Sequence, residues 1–476
     1  MTTERVSGDV SADVSRAGRA RALVLAAIVG AEFMLQLDGT IVNVALPALQ
    51  SDLHLSVAGG SWVPNGFFLA FGGLLLFAGR LGDVLGHRRV FLSGIGLVVV
   101  ASLVAGLAPN LEVLLAGRVL QGAGAAIAGP TGLALLAIVF QGERQQRAFG
   151  LYSTVTGLGA SAGMVLGGVL TWAGDWRWSL LVNVPIGLVV IAVAARALGL
   201  RDEATRSRPR GLPSVSGMCS ALLSTATLAA AVYGLVHAAE KGWGDRWTLA
   251  ALGAAVVLAL VFLLVDRRAA EPLLPLAVFA GRERAGVFLA LLLLAAVLTS
   301  FLIYLVQYLQ GVLRLTALQS GLAILPFGLA LLVSTQILTK RIAGIGLKTR
   351  AVAGLLVVLA GVAWLTRLDG GGTYVGGVLP GLVVMGLGVG VAIIPFNMIV
   401  LTTAPKEYAG VTAGVLQTAL TIGGSFGLAV MLIPLTQGTG GLAETISAVF
   451  LWACGALVIA LLVALVFWYR PGSRWH

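Results

Sequence analysis

Read from its N-terminus, the chain alternates between long apolar runs and short segments that gather most of the charges. A helix needs about 20 apolar residues to cross the hydrocarbon core of a bilayer. On that measure the pattern predicts fourteen transmembrane helices, over 22–48, 60–79, 90–108, 112–138, 147–172, 179–198, 214–237, 248–265, 285–310, 317–338, 350–366, 376–399, 408–436 and 445–469. The first run is long and lacks a small-residue cleavage site, so it reads as a span and not as a removed signal peptide. An even number of spans puts both termini on one side of the membrane.

The loops decide which side. Segments on the side of the termini carry 25 Lys and Arg, from the tail at 5–21 to the tail at 470–474. The opposite loops hold five: Arg177, Lys241, Arg246, Arg314 and Arg367. Basic residues accumulate in cytoplasmic loops, so both termini are expected in the cytoplasm of a bacterial inner-membrane protein. The net charge of +11 is therefore a topology device, and nucleic acid is not an expected partner. Trp62, Trp172, Trp176, Trp178, Trp243 and Trp247 fall near expected outer ends, where an amphipathic ring anchors at the interface.

Composition agrees. Of 476 residues, 58% are hydrophobic and 11% charged, where a soluble domain carries about 25% charged residues. Cys219 and Cys454 lie in apolar runs and suggest neither a disulfide nor a metal site. The four histidines, His54, His87, His237 and His476, have no metal-ligand spacing, and no nucleophile elbow is present, which sets an enzyme aside. The absence of a repeated filter loop sets a channel aside. No cofactor and no metal are expected; a proton gradient supplies the driving force.

Two internal matches point to a duplication. GRLGDVLGHRRV (79–90) aligns with TKRIAGIGLKTR (339–350) at an offset of 260, and the segment from Glu143 aligns with that from Glu407 at an offset of 264. The implied plan is an N-terminal tail (1–21), a six-helix half (22–198), a linker (199–213), an inserted helix pair (214–265), a second linker (266–284), a second six-helix half (285–470) and a short tail (471–476). The EPLLPLAVF core of the second linker is expected along the membrane surface. Parallel half-repeats place a substrate site near the bilayer midplane, between halves that rock to alternate access.

Four segments carry a resemblance. They are LDGTIVNVALP (37–47), GRLGDVLGHRRV (79–90), RVLQGAGAA (118–126) and GLGASAGMVLGG (157–168). Together with the span order, they resemble the major facilitator superfamily in its fourteen-helix drug:proton antiporter branch. An ionised carboxylate inside a membrane costs on the order of 3 kcal/mol on insertion scales, so Asp38 needs a cavity or a partner. Counting 1.5 Å per residue from each outer end puts Asp38 at a depth of ~15 Å and Arg118 at ~9 Å, close enough to pair. The resemblance implies that Asp38 and Arg118 couple transport to protons. It implies that Gly79, Asp83, Gly86, Arg88 and Arg89 form a cytoplasmic loop that locks conformations; Val84 and His87 replace basic residues usual there. Gly159, Gly163, Gly167 and Gly168 match the antiporter glycine ladder, with Met164 where the family usually has proline.

Glu32 is a separate case. Six residues before Asp38, it points about 120° away from it on the same helix. It reads as a second protonation site, a contact for a cationic substrate, or a carboxyl held neutral against another helix. Further polar candidates for the substrate cavity are Gln36, Asn43, Gln121, Gln307, Gln310, Asn397 and Gln417. The expected function is proton-driven export of small, amphipathic organic molecules by a monomer in the lipid bilayer. The alternatives are a proton-coupled uptake permease of the same fold and a non-transporting membrane sensor.

Overall fold

A computed structural model describes residues 2–141, 143–199, 215–269, 272–274, 278–279, 281–403, 409–438 and 440–468, with side chains from Arg19 onward apart from a few that include Arg80 and Asp83. Among the described residues, 13 helices are long and apolar enough to cross a membrane. We number the helices at the fourteen expected positions in chain order. They are α1 (Arg19–Asp52), α2 (Val57–Leu85), α3 (His87–Gly106), α4 (Leu111–Val139), α5 (Glu143–Ala173), α6 (Trp176–Ala197), α7 (Ser216–Lys241), α8 (Arg246–Arg268), α9 (Arg282–Gly311), α10 (Ala317–Arg341), α11 (Leu347–Leu365), α12 (Tyr374–Val400), α13 (Gly414–Gln437) and α14 (Leu442–Trp468). The 13 do not include α2, a 29-residue helix that fills the second position. The tail expected over 1–21 is not a separate element, because the first helix runs from Thr2 to Asp52. The linker at 199–213 is outside the described residues except for Gly199, and the tail at 471–476 is wholly outside them.

Glycine decides how the helices pack. With little hydrophobic drive between helices in lipid, close backbone approach supplies the association energy. A Cβ at Gly94 of α3 would lie 2.8 Å from the Ala128 nitrogen of α4, and one at Gly124 would lie 2.8 Å from the Val98 side chain. The same contacts recur between α11 and α12. Gly354 meets Ala392, with a built Cβ 2.5 Å from its nitrogen, and Gly388 meets Val358. Gly122 against Phe67 and Ala70 reappears as Gly386 against Phe327 and Ala330. Residues of α2 and α3 map onto α10 and α11 by adding 260 (94 to 354), and α4 maps onto α12 by adding 264 (124 to 388). In the same way Gly159 and Gly163 of α5 pack on Phe33 and Leu37 of α1, while Gly423 and Gly427 of α13 pack on Leu292 and Ala296 of α9. That pairing maps α1 onto α9 by adding 259 (33 to 292).

The halves meet through α2 against α13 and α5 against α10. Gly168 of α5 approaches the Ala317 carbonyl, and Gly321 of α10 approaches that of Met164, at 2.6 and 2.7 Å for a built Cβ. Gln310 Nε2 of α9 donates to the Val44 carbonyl of α1 at 3.0 Å. These contacts lie toward the expected outer ends. The inserted helix α7 packs on both α2 and α13, whereas α8 packs on α7 and is otherwise almost wholly exposed. The second linker folds back on α8 where it is described. The Asp266 carboxylate accepts from the backbone nitrogens of Leu273 (2.8 Å) and Leu274 (3.0 Å), and Leu273 and Val278 are buried.

Candidate functional site

The site forms where α6 packs against α1 and α3. Asp175 caps α6 by accepting from the Arg177 backbone nitrogen at 2.9 Å. Pro185 has no N–H to donate to the Leu181 carbonyl one turn back, which removes one hydrogen bond from the helix at that point. The helix stops at Leu181 and restarts at Asn183. The Asn183 side chain is fully buried.

Asp38 lies there, 1% exposed, with Arg118 Nη1 3.3 Å from its Oδ2 and equally buried. Gln121 Nε2 donates to Asp38 Oδ1 at 2.9 Å and to Ser102 Oγ at 2.8 Å. Asn183 Nδ2 donates to the same Oδ1 at 2.6 Å. Arg118 also donates through Nε to the Val63 carbonyl (3.2 Å) and through Nη1 to Gln121 Oε1 (3.0 Å). Its guanidinium carbon stands 4.6 Å from the centre of the Phe67 ring, a cation–π contact. Five helices, α1, α2, α3, α4 and α6, therefore meet on one ion pair. Gln121 belongs to this closed network and does not line an open cavity, which corrects its assignment as a cavity residue.

The second half supplies a natural control. The mapping set by the glycine contacts takes Asp38 to Val297, Ser102 to Val362, Arg118 to Leu382 and Gln121 to Met385. All four counterparts are 0% exposed. The same backbone geometry thus packs with no polar atom at these positions. A charge pair in a low-dielectric interior is weak evidence for stability. The counterpart helices pack without such a network.

Glu32 faces the other way, as its 120° offset demands. It is 5% exposed and accepts from Tyr152 Oη at 2.6 Å, Thr156 Oγ1 at 2.9 Å and Gln36 Nε2 at 2.8 Å. All three donors are uncharged. Glu32 thus ties α1 to α5 just below the glycine ladder. There Gly159 and Gly163 admit the α1 backbone, Gly167 touches the Ile41 carbonyl, and Thr40 Oγ1 donates to the Ala160 carbonyl at 3.0 Å.

The remaining candidates scatter. Gln36 is spent on Glu32, and Gln310 on the seam with Val44. Gln417 is exposed and Gln307 half-buried. Asn43 Oδ1 and Asn397 Oδ1 are buried with no hydrogen-bond partner among the described residues. Between α2 and α3, Gly86 takes φ 91°, a conformation favouring glycine, and its N–H donates to the Gly82 carbonyl. Gly79 sits near Pro130, Arg88 Nη2 donates to the Ala195 carbonyl at 3.4 Å, and Arg89 is exposed. The Asp83 side chain lies outside the described residues. Trp176 corrects the interfacial reading of its group: it is buried, and its ring nitrogen donates to Asp52 Oδ2 at 3.0 Å beside Arg177. Asn183, Ser102, Tyr152 and Thr156 were not singled out from the sequence. Only Asn183 carried a signal, its place two residues before Pro185.

The Major Facilitator Superfamily model matches residues 28–428. Puromycin resistance protein pur8 of Streptomyces alboniger is 39% identical over 421 residues, covering 87% of this chain and 82% of the relative. Cephamycin export protein CmcT of Amycolatopsis lactamdurans is 35% identical over 93% of this chain and 90% of its own length. The tetracenomycin C resistance and export protein of Streptomyces glaucescens is 34% identical, covering 89% and 77%. Among solved structures, a peptide transporter POT in complex with sulfate superposes with a TM-score of 0.69 over 93% of this chain and 94% of that one, at 14% identity. The nucleoside transporter NupG gives 0.64 at 10% identity, covering 94% of this chain and 100% of that one. At such identities the superpositions speak for the fold alone. The chain belongs to the major facilitator superfamily.

Proposed function

We propose that this protein is a proton-coupled exporter of small organic molecules, with Asp38 as the coupling carboxylate and Arg118 as its modulator. The observation that carries the proposal is the buried five-helix network around Asp38, set against the four apolar residues at the matched positions of Asp38, Ser102, Arg118 and Gln121 in the other half. Export is the direction that the resistance and export relatives support. The same reading places both termini in the cytoplasm of a bacterial cell membrane, treats the protein as a monomer and a transporter and not an enzyme, and needs no cofactor.

The chemistry follows from charge. An unprotonated Asp38 neutralises Arg118 and gathers donors from α4 and α6. A proton on Asp38 removes that charge and leaves the guanidinium only the Val63 carbonyl, Gln121 and the Phe67 ring. The balance of contacts between α1 and α4 then differs between the two protonation states, which is what biasing a two-state element requires. Glu32 has only uncharged donors, which supports a carboxyl that binds a proton or a cationic substrate. Asn43 and Asn397 present unsatisfied carbonyl oxygens, which support contacts to substrate. The 79–89 loop is read as the lock on conformational exchange.

A toxic-compound susceptibility panel in an efflux-deficient host tests the reading. The wild-type chain should raise tolerance to at least one amphipathic compound, and Asp38→Asn, at equal membrane abundance, should not. Greater sensitivity with the wild type would instead indicate uptake.

A further inference from the structure

Outside the network, an apolar groove of about 740 Å³ runs between α1 and α6, floored by α5. Ala26, Gly30 and Phe33 form one wall, Val189 and Val193 the other, and Val155 the floor. It faces outward: Val189 is 63% exposed, and Leu23, on the same stretch of α1, is 41% exposed. Both walls lead to an arginine at the same end. Arg19 lies seven residues before Ala26, two turns along the same face, and Arg196 lies seven after Val189 and three after Val193. Both are exposed and have no ion-pair partner among the described residues. Arg88, in the first turn of α3, adds a third guanidinium there through its bond to the Ala195 carbonyl.

We infer that this groove binds an anionic phospholipid, one acyl chain lying between α1 and α6 and the phosphodiester held by Arg19 and Arg196. The lengths agree. From Val193 to Pro185 the groove descends about 12 Å at 1.5 Å per residue, against about 15 Å of hydrocarbon in one leaflet. Arginine reaches the headgroup level from a helix end while its stem stays in apolar surroundings. Charge selects the lipid: phosphatidylglycerol carries a net negative charge, whereas phosphatidylcholine presents the same phosphate with a cation attached. Placing the headgroup in the cytoplasmic leaflet rests on the orientation given under Proposed function; the groove and its arginines do not.

Native mass spectrometry of the purified full-length chain, titrated with phosphatidylglycerol or phosphatidylcholine in detergent, tests the inference without reference to transport. One phosphatidylglycerol should be retained in preference to phosphatidylcholine. Arg19→Gln with Arg196→Gln should weaken it by roughly tenfold to thirtyfold, from about a factor of five for each basic residue at a membrane surface. Val189→Trp, at an exposed site, should fill the groove and displace the lipid with both arginines intact, while Arg144→Gln with Arg147→Gln should change nothing. Equal retention of the two lipids, or unchanged binding in either the arginine pair or Val189→Trp, overturns the inference. Displacement of phosphatidylglycerol by a transported compound overturns it too, because the groove is then a lateral path for substrate. A variant that loses lipid binding and still transports leaves the proposed function intact.

Discussion

Replacing the buried network by its own counterpart in the second half gives the sharpest prediction. The variant carries Asp38→Val, Ser102→Val, Arg118→Leu and Gln121→Met, each copied from Val297, Val362, Leu382 and Met385 at matched positions. Exchanging a buried ion pair for packed apolar residues is neutral or stabilising by about 1–4 kcal/mol in known cases. Asn183 keeps its amide without Asp38, and an unsatisfied buried donor costs about 1–3 kcal/mol. The two offset each other, so the fourfold variant should unfold within about 3 kcal/mol of wild type. Asp38→Val alone should cost about 3–5 kcal/mol, because it strands a guanidinium that cannot lose its proton. Arg118→Leu alone should cost less, since the carboxyl it strands can be neutral. Thermal unfolding in detergent, followed by fluorescence-detected gel filtration, ranks the three, and proteoliposome flux reads activity. The expected order is a stable fourfold variant with no proton-driven transport, then Arg118→Leu, then Asp38→Val. A fourfold variant as unstable as Asp38→Val would refute the reasoning and make the network a folding requirement.

Three further outcomes follow from the geometry. Gly167→Val should force α5 off the Ile41 carbonyl and lower the yield of folded protein, at about 1–3 kcal/mol for overpacking, as should Gly427→Val against Ala296; normal gel-filtration profiles would refute this. Gly86→Ala meets no atom within 4 Å, so its penalty is backbone strain of about 1–3 kcal/mol; like Asp83→Asn, it should slow turnover while substrate affinity stays within a few-fold, and a large affinity loss at normal turnover would indicate direct binding. Reporters fused after His476 and at Gly242 should signal cytoplasm and exterior respectively, and the same side for both would break the topology.

Legibility in the sequence tracked the rarity of the signal. Charge inside a membrane helix is expensive, so Asp38 and Arg118 stood out, and counting residues from helix ends sufficed to pair them. The helix positions were legible for the same reason, as was the duplication, because glycines at contact points fix both offsets. Asn183, Ser102, Tyr152 and Thr156 were hidden because single uncharged polar residues are common in membrane helices, and their roles depend on helix rotation. Gln121 and Gln310 were legible as polar but not as network or seam, since a spacing of residues does not say which neighbour a side chain meets. Trp176 was misread because a tryptophan at a helix end can also pack inward, and here its ring nitrogen donates to Asp52.

The central claim is that Asp38 takes up and releases the proton that drives export. Purified protein in proteoliposomes, with an imposed pH gradient and a compound chosen from the susceptibility panel, tests it most directly. Wild type should move the compound in exchange for protons, reported together by substrate flux and an entrapped pH dye. Asp38→Asn keeps the size and hydrogen bonding of the side chain but cannot titrate, so it should retain substrate binding and show no gradient-driven transport. Full gradient-driven transport by Asp38→Asn would contradict the account and move the coupling role to Glu32.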